Sequence, residues 1–266
     1  MAMKVIGLLF GMEQSFPPAL VERINSTAPA NIRAEFIKIG GIQMADLMKY
    51  DVILDRISQD IPFYRSMLKN AMLTGTRVVN NPFWWSADDK FFNYALASKI
   101  GVPIPNTVLL PSKDHPATTT SESMRNLMFP LNWEEIFEYV GFPAFLKPHD
   151  GGGWKHVYKV HNAQEFFEAY HKTADICMTL QAGVEFDEYY RCYAIGKKYI
   201  HIMPYEPRNP HHLRYVAGFS LTPERKKQLE AHCLTIVNAL GYDFDTIEFA
   251  VKDGIPYAID FLNPAP

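Results

Sequence analysis

The sequence predicts a parallel α/β lobe at the N-terminus followed by segments of α+β character. Three observations carry that prediction. Short apolar strands alternate with helical stretches through the first eighty residues, the pattern of strands paired in parallel through crossovers. The stretch "FPAFLKPHDGGGWKHVYKV", residues 142–160, reads as strand, glycine run, strand, and the chain closes on a further hairpin, "TIEFAVKDGIPYAIDFLNPAP". A chain of 266 residues also exceeds what one compact core usually takes, which favours two or three packed lobes.

In order, "KVIGLLF" is an apolar strand, and "PPALVERINST" opens with prolines suited to a helix N-terminus. "AEFIKI", a short helical piece to Lys49 and the strand "DVILDR" follow. "PFYRSMLKNAML" places Phe63, Met67 and Leu68 on one side of a helix that stops at Gly75, before the strand "RVVN". "WSADDKFFNYALASKIGVPIP" offers Ser86 as N-cap with Asp89 three residues later, and Gly101 and Pro103 end that helix. After the strand "TVLL", about twenty polar residues, 111–130, lack periodicity and read as a long loop. The helix "WEEIFEYV" precedes the glycine segment; "AQEFFEAYHKTA" (helix), "CMTLQ" (strand) and a hairpin turning at Gly196-Lys197 follow it. A long helix runs from Thr222 as N-cap to Gly241 as stop.

Composition excludes several function classes. Net charge is −3 with no basic block, which argues against nucleic acid as a partner. No apolar run approaches the ~20 residues of a membrane span, so no membrane role is expected. "MAMKVIGLLFG" lacks a small-residue cleavage site and reads as a first strand rather than a signal peptide. The three cysteines, Cys177, Cys192 and Cys233, are scattered and odd in number, which points to a reducing, cytoplasmic setting.

Gly151, Gly152 and Gly153 let the backbone take left-handed conformations and approach a ligand closely. Successive exposed N–H groups there form an anion-binding concavity, and Lys147 on the preceding strand adds a point charge suited to phosphate. A flexible hairpin turn beside a surface lysine is the alternative. Order excludes the better-known phosphate motifs. A P-loop needs its lysine after the glycines, a dinucleotide fingerprint opens a helix, and a kinase glycine loop precedes its lysine.

The arrangement resembles the ATP-grasp superfamily, and the remaining motifs of that family recur in order. "ADDKFFNYALASKIGVPIP" offers its first lysine, Lys90; "FPAFLKPHDGGG" matches its strand and glycine-rich loop; "CMTLQAGVEF" matches its hinge. "YYRCYAIGKKYIHI" matches its Y-R-x-Y-x-I-G strand, and "TIEFAVKDGIPYAIDFLNPAP" its paired acidic strands. The resemblance covers about Asn80 to the end. It implies an ATP-grasp fold: an N-terminal parallel-sheet α/β lobe (1–82), a central lobe with a glycine-rich lid (83–180) and a C-terminal lobe with a metal site (181–266). In the hinge, Gln181, Val184 and Glu188 become candidates for nucleotide contact beside Lys90, Lys147 and the three glycines. A glutamate more often precedes the family's hinge, so Gln181 is a small departure.

The metal end follows from strand geometry. Side chains alternate along a strand. A three-residue turn, Asp253-Gly254-Ile255, pairs Lys252 with Pro256, Ala250 with Ala258 and Glu248 with Asp260. Two carboxylates directly opposite repel, so a positive charge is expected between them, and oxygen ligands beside nucleotide phosphates suit Mg²⁺, with Mn²⁺ as an alternative. A solvated surface pair is the other reading. The family's usual ending is acid-x-Asn. This chain has Leu262 at the asparagine step and Asn263 one later, so Asn263, the third candidate ligand, needs a bulge or a turn imposed by Pro264 to reach the metal. The sequence ends at Pro266, directly after this strand, where relatives often continue.

Arg191 and Arg214 are the remaining cations expected at the phosphate end, because a guanidinium binds phosphate or carboxylate by two parallel hydrogen bonds. Adjacent His211 and His212 read as a polar loop, and Trp84-Trp85 as packing at a lobe junction. Residues near Gly11, Arg56 and the 111–130 loop are candidates for the substrate end.

The resemblance implies an ATP- and Mg²⁺-dependent ligase joining a small-molecule carboxylate to an amine or thiol through an acyl phosphate. A small-molecule kinase with the same ATP grip and a non-catalytic ATP-binding regulator are the alternatives. Apolar N-terminal helices allow a homodimer.

Overall fold

The computed structural model describes residues 2–217, 220–261 and 263. Three four-stranded sheets organise them. The first contains β1 (Lys4–Leu9), β2 (Ile32–Phe36), β3 (Val52–Asp55) and β4 (Arg77–Val79), all parallel in the order β2-β1-β3-β4. Helices α1 (Phe16–Thr27) and α2 (Pro62–Leu73) provide crossovers, each with a proline in its first turn, where a missing N–H costs nothing. Val5, Ile53, Leu68 and Val78 form the core between sheet and helices. The piece before Lys49, expected as helix, is not one: residues 37–50 are loop and turn, with Ala45 at φ 62.

Next come two helices, α3 (Pro82–Trp85) and α4 (Lys90–Lys99). The expected N-cap at Ser86 is corrected. Ser86 follows the end of α3, and α4 is capped by Asp89, whose carboxylate accepts from the Phe92 N–H at 2.7 Å. The competing proline-started turn at Pro82 takes Ser86 away.

The second sheet is antiparallel, in the order β5-β8-β6-β7, from β5 (Thr107–Leu110), β6 (Ala144–Pro148), β7 (Tyr158–Val160) and β8 (Met178–Ala182). Helices α5 (Trp133–Val140) and α6 (Ala163–Tyr170) cover it through an aromatic cluster in which Trp133 contacts Phe137, Phe166 and Tyr170. The segment 111–130 has no helix or strand beyond a 3₁₀ turn at Ser121–Met124, as its composition predicts.

The third sheet, also antiparallel, runs β10-β9-β11-β12, from β9 (Glu188–Ile195), β10 (Tyr199–Pro204), β11 (Phe244–Lys252) and β12 (Ile255–Asp260). Helix α7 (Pro223–Leu240) lies across it, capped by the Thr222 hydroxyl and ended by Gly241 in the left-handed conformation. Its Leu229, Cys233 and Ile236 pack with Ile247 and Phe249. Trp85 and Tyr94 join that same core, so α4 packs against the third sheet. Trp84 stays exposed. Asn80 ties the first sheet to the third, its side chain accepting from the Asp243 and Phe244 N–H groups. No helix among the described residues is long and apolar enough to cross a membrane.

Candidate active site

A cleft of about 590 Å³ opens between the second and third sheets. Its floor begins with β6. Alternation sends Ala144 and Leu146 into the core and turns Lys147 toward the cleft. The Lys147 amine, on a residue only 9% exposed, donates to Tyr94 Oη at 2.7 Å and to Gln181 Oε1 at 2.8 Å. Gln181 is held in turn, its Nε2 donating to Thr107 Oγ1 at 2.9 Å. Burial depresses Lys147 to about 7, against the attraction of Asp260.

Lys90, the first residue of α4, is anchored by its own N–H donating to the His149 carbonyl at 2.7 Å. Its side chain is buried, and its amine reaches Asp260 Oδ1 at 2.5 Å. Its sequence neighbours are engaged elsewhere: Asp89 caps the helix and Asp88 accepts from Tyr242.

Glu248 and Asp260 face each other across β11 and β12, as expected, but by a different register. The turn has two residues, Asp253 and Gly254, both at positive φ, and Phe249 rather than Ala250 lies opposite Ala258. A bulge between Glu248 and Phe249 then restores the Glu248–Asp260 pair. Glu248 accepts from Tyr189 Oη at 2.6 Å and lies 3.9 Å from Arg191. Burial and the facing Asp260 push the Glu248 carboxyl up. Partial desolvation also works against ionised Asp260, whose side chain stays 46% exposed, but the charges of Lys90, Lys147 and Arg191 outweigh it and hold that carboxyl below its ordinary value.

Asn263 also lines the cleft, its amide nitrogen donating to Thr246 Oγ1. Leu262 and Pro264, on which the sequence argument about this asparagine turned, lie outside the described residues. Two carboxylates and one amide oxygen are too few for a protein-only cage, and no group of three or more His, Cys, Asp or Glu among the described residues forms one. They do fit a hard cation that keeps waters and shares phosphate oxygens.

Gly151, Gly152 and Gly153 border the cleft from the loop joining β6 to β7, Gly151 and Gly153 at φ 83° and 70°. The next residue, Trp154, places its ring 6.0 Å from the Arg214 guanidinium. Arg214 donates to the Asn209 carbonyl, and the Arg191 guanidinium lies 5.9 Å from the Tyr193 ring and 5.6 Å from the Tyr205 ring. Both arginines line the cleft, as do Gln181, Val184 and His211.

Glu188 does not. It shares the opposite face of β9 with Tyr190, whose hydroxyl it accepts from, and it lies 3.5 Å from Arg225. The residues that reach the cleft from this strand are Tyr189 and Arg191. Sequence reasoning missed Tyr189, although its spacing of two from Arg191 was the available signal. It also missed Tyr94, one helical turn after Lys90. At the expected substrate end, Arg56 is engaged by both carboxylate oxygens of Glu13 at 2.6 Å and covers the Phe16 ring. Gly11 packs tightly on Ile57.

No family model and no curated protein matches the chain. Solved structures do. D-alanine–D-alanine ligase from Bacillus anthracis aligns over 100% of this chain and 87% of its own, at 18% identity and TM-score 0.68. VanG D-Ala:D-Ser ligase from Enterococcus faecalis aligns over 100% and 91%, at 15% identity and TM-score 0.69. The ATP-grasp ligase PsnB, complexed with a minimal precursor, aligns over 99% and 91%, at 14% identity and TM-score 0.66. Structures of the Bacillus anthracis enzyme with ATP and of PsnB with Mg and ADP align similarly. A parallel sheet followed by two antiparallel sheets about a common cleft, matched end to end by these ligases, means that this chain has the ATP-grasp fold.

Proposed function

We propose that the chain is an ADP-forming ligase that uses ATP and Mg²⁺ to join a carboxylate to an amine or thiol through an acyl phosphate. The observation that carries this reading is the convergence of Lys90, Lys147, Glu248 and Asp260, from four separate elements, on one cleft bordered by a glycine loop. The end-to-end likeness to ATP-grasp ligases solved with ATP, and with Mg and ADP, supports it.

Phosphoryl transfer is mainly positioning and charge neutralisation. Val184 and Gln181 at the β8 hinge, with Phe145 and Ile259, would enclose the base. Lys147 and Lys90 would meet the phosphates, with N–H groups of the 151–153 loop above them. Glu248, Asp260 and Asn263 would hold Mg²⁺, which supplies neutralisation of charge on the phosphate oxygens. Arg191 and Arg214 would face the transferred group. The carboxylate oxygen attacks the γ-phosphorus as the bond to the ADP oxygen breaks. The amine or thiol then attacks the acyl carbon, phosphate leaves, and the nucleophile loses its proton. The stretches 1–82, 83–180 and 181–266 are proposed as the three lobes of the working enzyme.

Calorimetry of ATP binding with and without Mg²⁺, on the wild type and on Lys147→Ala, tests the grip. Metal-enhanced binding that the substitution abolishes is expected. Trapping with hydroxylamine in a screen of carboxylates tests the chemistry: hydroxamate with ADP supports an acyl phosphate, whereas a phosphoester product with ADP overturns the ligase in favour of a kinase. Absence of binding at millimolar ATP would overturn the nucleotide site itself.

A further inference from the structure

β12 ends at Asp260, and Phe261 turns into the core. Asn263 therefore lies beyond the ladder, where no sheet hydrogen bond aims its side chain. What aims it is a residue 17 positions earlier. Thr246 sits on β11 two residues before Glu248, hence on the same face, and is 2% exposed. Its hydroxyl oxygen accepts from Asn263 Nδ2 and, at 3.4 Å, from Arg191 Nη2. Arg191 is itself directly opposite Glu248 in the register.

We infer that Thr246 is a positioning residue for the metal end of this site: one buried hydroxyl fixes the Asn263 amide so that its oxygen is presented to the cation, and ties that amide to Arg191. The inference rests on the proposed nucleotide–metal reading of the cleft.

The chemistry of the three groups accommodates this polarity. A threonine hydroxyl has two acceptor lone pairs, enough for both an amide and a guanidinium donor. An amide whose nitrogen is bound to protein has its carbonyl oxygen left for another partner, and a hard divalent cation takes oxygen, never the amide nitrogen. Asn263 borders the cleft with Glu248 and Asp260, so that oxygen and the two carboxylates can serve one ion. Groups that orient metal ligands in this way carry about tenfold to hundredfold in metal affinity elsewhere. The hydroxyl also explains how a chain with its asparagine one step out of register along the strand retains a usable third oxygen.

The test is Mn²⁺ binding in the presence of ADP, followed by electron paramagnetic resonance, on wild type, Thr246→Val, Thr246→Ser, Asn263→Ala and the Thr246→Val/Asn263→Ala pair. Expected are a roughly tenfold weaker Mn²⁺ affinity in Thr246→Val, recovery to within about twofold in Thr246→Ser, and no further loss when Thr246→Val is added to Asn263→Ala. Thr246→Ala replaces the valine variant if the latter does not fold. Wild-type affinity in Thr246→Val, or additive losses in the double variant, overturns the inference. A wild-type protein that binds neither Mn²⁺ nor ADP overturns the underlying reading of the cleft instead, and the two failures are distinct.

Discussion

Lys90 and Asp260 are 170 residues apart in sequence and 2.5 Å apart in space. The first is a candidate phosphate ligand and the second a candidate metal ligand, so each occupies the other until a nucleotide arrives. The pair has opposite consequences for two ligands. Removing the amine frees Asp260 for a cation but deprives a phosphate of its charge-assisted donor. Asp260 keeps 46% of its side chain exposed, so solvent screens the pair and its worth is at most about 1 kcal/mol. Lys90→Met is accordingly expected to bind Mn²⁺ alone up to about fivefold more tightly than wild type. The same variant should bind ATP about tenfold to hundredfold more weakly, the range for a lost hydrogen bond to a charged group. Mn²⁺ resonance titration and ATP calorimetry read the two effects separately. A parallel loss of both would mean that the pair is structural.

Lys147 gives the site a pH signature. Its amine is depressed by burial to about 7 from an ordinary value of 10.5. Below about 7 folded and unfolded chains both hold the proton, and the penalty for burying the charge is present in full. Between 7 and 10.5 the unfolded chain holds a proton that the folded chain lacks, so stability rises with pH across that window. Thermal unfolding at several pH values should show this slope in the wild type and lose it in Lys147→Met. A bound triphosphate reverses the preference and draws a proton onto the amine. ATP binding at pH 8 is therefore expected to take up protons, seen as buffer-dependent heats in calorimetry and absent from Lys147→Met.

Much of this arrangement was legible because it rests on local rules. The glycine run between two strands declares backbone freedom, and period-two alternation sets Glu248 against Asp260 even though the turn has two residues rather than the expected three. The bulge at Glu248–Phe249 compensated for that residue, and no local signal announces such a bulge. The alternation argument applied again to "EYYRCYAI" separates Glu188 from Arg191, three positions apart, and brings Tyr189 to the cleft. Ser86 misled because two helix starts compete within eight residues, at Pro82 and Lys90. The bond from Asn263 to Thr246 stayed illegible: a side-chain bond spanning 17 residues has no period in sequence.

Strand β9 supplies a discriminating pair of substitutions. Glu188 turns to Tyr190 and Arg225, away from the cleft, whereas the Tyr189 hydroxyl donates to Glu248 at 2.6 Å. Glu188→Gln is expected to leave ATP affinity within about twofold of wild type, since Glu188 does not line the cleft and a substitution of that kind changes little beyond about 0.5 kcal/mol. Tyr189→Phe removes the group that orients a candidate metal ligand, and the affinity for Mn²⁺ with ADP should fall about tenfold. Titrating both variants in one series decides the matter. The reverse ranking would return Glu188 to the nucleotide site.

The glycine loop makes a sharper distinction, within three consecutive residues. Gly151 and Gly153 sit at φ 83° and 70°, where a Cβ costs about 1–2 kcal/mol, while Gly152 adopts an ordinary φ. Among the described residues, no atom beyond the adjoining residues stands within 4 Å of where a Cβ would lie at any of the three, so packing does not decide between them. Alanine at 151 or 153 therefore acts through the backbone: it disfavours the loop conformation that borders the cleft, and affinity falls in proportion to the fraction of molecules that remain in it. A penalty of that size predicts ATP binding weaker by up to about fivefold to thirtyfold in Gly151→Ala and Gly153→Ala. In Gly152→Ala it should stay within about twofold. Trp154 reports the loop directly, because its ring lies 6.0 Å from the Arg214 guanidinium. Its fluorescence should change on ATP addition in wild type and in Gly152→Ala, with a midpoint shifted to higher ATP in the other two variants. Equal behaviour of all three alanine variants would mean that the left-handed geometry at Gly151 and Gly153 has no part in holding the nucleotide.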